Sequence, residues 1–218
     1  MSSTEAPHIE KFSRVIQNIK YIKECKKTNK KDIHSICYLL DERISRQLTQ
    51  SDCIKLGFGL EYLFLEIIIQ NAPHLKNITP LTTTKGKKQL DHLFEDAEKK
   101  IIYYAELKSN LHLDTEKSRA TAEKCLKIYN ELCDTYPDYT VKMFLVGNRY
   151  LETTDLQKYN IITNRYTIIK NNLCGVNDYF RELGLPQMCF VDAIQYAAVL
   201  HFLIKEMFGY SPTPTSSL

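Results

Sequence analysis

Apolar residues recur at helical spacing through the first third of the chain. Phe12, Val15, Ile16, Ile19 and Ile22 form one such series, and Ile33, Ile36, Cys37 and Leu40 form another after Asp32. A third helix is predicted over 51–71, with Ser51 or Asp52 as its cap and a break before Pro73. The period then changes. Residues 88–94 and 100–107 are short and rich in β-branched and aromatic side chains, with the polar stretch 95–99 between them, which predicts a β-hairpin. A helix is expected over 115–133, with Asp114 as N-cap and Glu116 in its first turn. Residues 139–146 read as a strand ended by Gly147. A strand–helix–strand unit of this size is a crossover, so that strand should lie parallel to the second strand of the hairpin. Beyond it the pattern predicts a helix over 154–159, a strand over 166–169, a short helix over 177–183 and a strongly apolar helix over 192–208. The tail 211–218 is rich in Ser, Thr and Pro.

The chain has 218 residues, one domain's length or a domain with a helical annex. The expected organisation is a single domain: a helical region 1–50, a core 51–150, a mixed part 151–210 and a tail 211–218. The longest apolar stretches, 63–69 and 197–204, are interrupted by Glu66 and His201 and are far shorter than the roughly 20 residues that span a bilayer. No apolar leader opens the chain, and seven cysteines include no C-x-x-C pair. Reduced thiols in a cytoplasmic compartment, with no membrane partner, are therefore expected. Cys37, Cys125 and Cys189 sit in apolar patterns and read as small buried hydrophobes. Lys and Arg number 29 against 26 Asp and Glu, so any basic surface must come from local clustering.

The chemistry concentrates in 89–108. Alternation along a strand puts Glu106 and Lys108 on one face with Ile102 and Tyr104. Ile101, Tyr103, Ala105 and Leu107 take the other. If residues 97–100 form a four-residue loop, Phe94 pairs with Tyr103 and Asp91 stands opposite Glu106, with their Cβ atoms about 4.5–5.5 Å apart. Two carboxylates that close repel unless a cation lies between them or one is protonated. A hard divalent ion fits such oxygens, and Lys108 would reach the same point. The motif E-x-K occurs three times, at Glu24, Glu98 and Glu106, but only the third ends an apolar strand with an acid on its neighbour. Spacing alone leaves two readings open, a metal-dependent nuclease site and a structural ion pair.

Asp91 followed by Glu106-Leu107-Lys108 resembles the PD-(D/E)xK nuclease signature. With Gly86-Lys87-Lys88-Gln89-Leu90 before it and Ser109-Asn110-Leu111-His112-Leu113-Asp114-Thr115-Glu116-Lys117-Ser118 after it, the string resembles Type II restriction endonucleases. The likeness covers about 85–120, and the order helix, hairpin, helix, strand extends it to about 55–147. The usual Pro before the Asp is Leu90 here. The resemblance implies an α/β fold with a restriction-endonuclease-like core, a small mixed β-sheet flanked by helices. It implies hydrolysis of duplex DNA with Mg²⁺, or Mn²⁺ as a substitute, leaving 5′-phosphate ends. Asp91 and Glu106 would be metal ligands, the Leu107 carbonyl a further one and Lys108 the catalytic lysine. An additional acid from the preceding helix would be Glu61 or Glu66. Glu61 shares a face with Phe64, Leu65 and Ile68, which would direct it inward or leave it a boundary residue with its head in water.

Several residues are candidates for DNA contact. Lys85, Lys87 and Lys88 precede the first catalytic strand, and Ser109 and Asn110 follow the second. Lys20, Lys23, Lys26, Lys27, Lys30 and Lys31 cluster nearer the start, as a phosphate-binding patch or a solvated helix end. Asn148-Arg149, Asn164-Arg165 and Asn171-Asn172 could read base edges or simply be loop residues. A short palindromic site would pair with a homodimer, and a restriction enzyme implies a cognate DNA methyltransferase. His92, next to Asp91, alternates to the opposite face and reads as structural. There is no G-x-S-x-G, P-loop, G-x-G-x-x-G or H-E-x-x-H. Two other readings stay open: a repair or junction-resolving nuclease of the same core, and a non-catalytic DNA-binding or interaction protein.

Overall fold

Apolar periodicity sorts the chain into two compact units in a computed structural model, which describes residues 5–28, 50–83, 86–109, 111, 113, 115–157 and 165–208. One unit takes the residues up to Ile67 and those from Phe190 onward; the other is Ile68–Cys189. Helices α1 (Glu5–Asn18), α2 (Lys20–Thr28) and α3 (Gln50–Asn71) precede the first strand. The series Phe12, Val15, Ile16, Ile19 and Ile22 is buried throughout, as its spacing requires. Already helical at Gln50, α3 has Ser51 and Asp52 inside it rather than capping it. The predicted series 33–40 and the tail 211–218 lie outside the described residues.

In the second unit the strands are β1 (Lys76–Asn77), β2 (Leu81–Thr83), β3 (Gly86–Lys88), β4 (His92–Asp96) and β5 (Ile101–Lys108). Helix α4 (Thr115–Thr135) and strand β6 (Thr140–Gly147) follow, then α5 (Thr153–Gln157), β7 (Leu173–Cys174) and α6 (Val176–Glu182). The main sheet has the order β1-β4-β5-β6-β7, with antiparallel pairs on one side and parallel pairs on the other; β2 and β3 make a separate hairpin. It is a small mixed five-stranded sheet of the α/β class, flanked by helices. The expected strand 88–94 is thus divided: Lys88 ends the small hairpin and the sheet strand begins at His92. The hairpin register is the one that follows from a four-residue turn at 97–100, Phe94 opposite Tyr103, and β6 runs parallel to β5.

Burial explains the parallel pair. Strand β5 is apolar on both faces because both are covered. On one, Ile102, Tyr104, Leu93, Met143 and Leu145 pack with Ala122, Cys125, Ile128 and Leu132 of α4. On the other, His92 is fully buried with Nδ1 2.9 Å from the Tyr179 hydroxyl of α6, and Phe144 lies against the same ring. The expected strand at 166–169 is instead turned: Thr167–Asn172 is a 3₁₀ segment that places Ile169 in the core, and strand pairing starts only at Leu173. Next to it, a Cβ on Gly175 would lie 2.4 Å from the Leu151 carbonyl oxygen, so only glycine admits this approach of two backbones.

Helix α7 (Ala193–Phe208) closes the chain, and Asp192 caps it by accepting the Gln195 N–H at 2.8 Å. Tyr196, Val199, Leu200, Leu203, Ile204, Met207 and Phe208 are buried, so this helix forms core within the first unit. Among the described residues, no helix is long and apolar enough to cross a membrane.

Candidate active site

The site lies where β4 ends against β5. Strand pairing stops at His92–Ala105, so Asp91 falls next in line, opposite Glu106. Its carboxylate takes over where the ladder stops: Oδ2 accepts the Leu107 N–H at 2.8 Å. Glu106 points to the α4 face and is 1% exposed. The Lys108 ammonium, two residues along the same strand and hence on the same face, lies 2.7 Å from Glu106 Oε1. Beside Lys108, β6 ends at Gly147, where a Cβ would sit 2.8 Å from Leu111 Cδ1; the Asn148 N–H donates to the Lys108 carbonyl at 2.9 Å.

A fourth member comes from α4. Lys124 Nζ lies 2.7 Å from Glu106 Oε1 and 2.8 Å from Oε2. The Tyr104 hydroxyl stands 3.5 Å from Oε2 and 3.9 Å from Cys125 Sγ. Lys124 escaped the sequence reading because no short motif contains it. Its one signal is helical position, flanking the buried stripe Ser118, Ala122, Cys125, Ile128 and Leu132 that packs on the sheet.

The two carboxylates have opposite electrostatics. Burial pushes the Asp91 carboxyl above its usual range and the nearby Glu106 charge adds to it, against the opposing Leu107 N–H and two lysines. Burial also disfavours the Glu106 anion, but the charges and hydrogen bonds of Lys108 and Lys124 outweigh it and hold that carboxyl below the ordinary glutamate value. Burial and the Glu106 charge raise the Cys125 thiol to about 11, which leaves it protonated and inert, as a small buried hydrophobe should be.

Carboxylate oxygens are the donors a hard divalent ion takes, and Asp91 and Glu106 are the two acids here that could offer them. Asp91 stands opposite Glu106, its carboxyl raised by burial and by the Glu106 charge, while Glu106 already draws two cationic heads. Among the described residues no group of three or more His, Cys, Asp or Glu gathers. A metal held by Asp91 and Glu106 alone among side chains would need backbone oxygen and water to complete its shell. Glu61 and Glu66 are both partly buried on α3 and belong to the helical unit.

The candidate DNA-contacting residues fare unequally. Lys87 is exposed, while Lys88 is tied to Glu131 of α4 at 3.2 Å. Ser109 and Arg149 are partly buried. Asn148 is 1% exposed, which removes it as a reader of base edges, since a groove cannot reach it. The Arg165 guanidinium donates to the Leu113 carbonyl, and the Asn172 amide to the Met143 carbonyl at 3.0 Å, so both serve the fold. Lys85, Asn110, Asp114 and Asn164 lie outside the described residues, and of the early lysine cluster Lys20 and Lys23 are exposed.

Comparison with known proteins finds no matching family model, no matching curated protein and no matching solved structure.

Proposed function

We propose that this chain is a Mg²⁺-dependent endonuclease that cuts duplex DNA in the manner of Type II restriction enzymes. The observation that carries the reading is the meeting of Asp91, Glu106 and Lys108 at the mouth of one antiparallel strand pair. The order along the chain, a helix, the β4–β5 hairpin, α4 and then β6, is the order such a restriction-endonuclease-like core would have. A divalent ion, Mg²⁺ or Mn²⁺, would be held by Asp91 and Glu106, with the Leu107 carbonyl as a further ligand, and would supply Lewis-acid catalysis. The Leu107 N–H fixes one oxygen of Asp91 and leaves the other for the ion. Glu106 anchors Lys108 at 2.7 Å, so the ammonium is held where it can orient an attacking water and neutralise charge developing on the phosphate. Hydrolysis would leave 5′-phosphate ends. The same reading makes the enzyme a cytoplasmic homodimer acting on a short palindromic site, protected in its cell by a cognate methyltransferase.

The test is plasmid DNA incubated in Mg²⁺, Ca²⁺ or EDTA, with any ends mapped. Discrete bands in Mg²⁺ that vanish in Lys108→Ala, with DNA binding retained in Ca²⁺, are expected. Cleavage without discrete bands would instead indicate a repair or junction-resolving nuclease. One observation favours a second reading, a non-catalytic ion network: both Glu106 oxygens already have ammonium partners. In that case Lys108→Ala alters stability and there is no cleavage to lose.

A further inference from the structure

A carboxylate offers about four lone-pair sites. Three of those of Glu106 face ammoniums, Oε1 those of Lys108 and Lys124 and Oε2 that of Lys124, while the Tyr104 hydroxyl stands 3.5 Å from Oε2. An ion bound to either oxygen would therefore sit against an ammonium that repels it. Lys108 reaches Glu106 from the same strand, whereas Lys124 reaches both of its oxygens from a different element. We propose that Lys124 is the built-in counter-cation of the metal-free site, expelled from Glu106 by the incoming divalent ion and delivered to the DNA phosphate.

This inference rests on the nuclease reading and adds to it a residue and a sequence of events. Charge makes the exchange directional. Two ammoniums and a divalent ion exceed the two carboxylates by two positive charges, so one cation is driven out, and the more exposed ammonium, at 50% against 35% for Lys108, is the one water can take up. The Lys124 side chain is half exposed on a flexible four-carbon stem, free to swing without moving α4. A phosphate arriving beside Asp91 and Glu106 restores the missing negative charge. Lys124 thus competes with the ion in the absence of DNA and assists it in the presence of DNA, which favours a loaded site only on substrate.

The test uses the full chain. Ca²⁺ binding is measured calorimetrically on wild type, Lys124→Met and Lys124→Gln, without DNA. Both variants should bind about tenfold more tightly, the equivalent of losing one competing charge-assisted hydrogen bond. Lysine-ammonium NMR should show a protected Lys124 signal in EDTA that is lost on adding Ca²⁺. In Ca²⁺, the salt dependence of DNA affinity should fall in both variants by about one phosphate contact relative to wild type. Unchanged Ca²⁺ affinity in both variants, or a Lys124 signal that survives loading, overturns the exchange while leaving the nuclease reading intact. A wild-type chain that binds no Ca²⁺ in the presence of DNA overturns both.

Discussion

Glu106 is the most exacting feature of this fold, because a carboxylate 1% exposed depends wholly on its partners. Consider removing them by Lys108→Met and Lys124→Met in metal-free buffer. Substituting Lys108 leaves both Lys124 contacts in place; substituting Lys124 leaves the 2.7 Å contact to Lys108. In neither single variant is the charge abandoned. The lysine heads are also partly exposed, with side-chain accessibilities of 35% and 50%, which weakens each contact. Each substitution should therefore cost about 1 kcal/mol. The double variant strands an unpaired buried charge, for which about 3–5 kcal/mol is expected. The excess over the sum of the singles is the signature, and urea melts of the four chains measure it. The pH dependence follows from the sign of the shift. Glu106 ionises more readily in the fold than its ordinary value of 4.5, so its stabilisation is present above that value and is lost as pH falls through the folded one. The deficit of the double variant should close in acid. Strictly additive losses of about 2 kcal/mol in total would refute the claim that one ammonium suffices to hold the charge.

Asp91 should behave in the opposite sense. Its carboxyl is raised in the fold, so the charge costs stability once the pH passes 3.8 and rises through the folded value. Asp91→Asn, whose amide oxygen still accepts the Leu107 N–H, should melt higher than wild type at neutral pH in EDTA, the advantage fading below pH 3.8; a lower melting temperature at pH 7 would contradict this. Gly175→Ala should destabilise by about 1–3 kcal/mol, because the new Cβ meets backbone rather than a movable side chain, and a thermal melt reads this directly. Cys125, with its thiol raised to about 11, should resist alkylation at pH 8 in the folded chain and react after unfolding, as peptide mass spectrometry would show.

Local periodicity carried much of this architecture. The helical spacing of Phe12 to Ile22, the hairpin register and the parallel return of β6 are set by side chains that must alternate between core and water, so they are legible from a single chain. The same alternation puts Glu106 and Lys108 on one face and Asp91 opposite. The errors fall where the pattern is short or ambiguous. Four residues at 166–169 cannot distinguish a strand from a 3₁₀ turn, and the run at 88–94 conceals a change of sheet. Asn148 looks like a loop residue, yet it follows the last sheet residue, where the Lys108 carbonyl draws its N–H inward.

By itself the sequence determined that Glu106 and Lys108 share one face of a strand, because a two-residue repeat leaves no freedom in the matter, and it made Asp91 their neighbour on condition of a four-residue turn. Only the tertiary structure decided that α4 crosses that strand at Lys124. Docking of α4 depends on how Ala122, Cys125, Ile128 and Leu132 fit the sheet, and that choice is made by packing across residues far apart in the chain. The polarity of the two carboxylates followed from the same docking. Burial and neighbouring charge set it, and neither exists until the layers close.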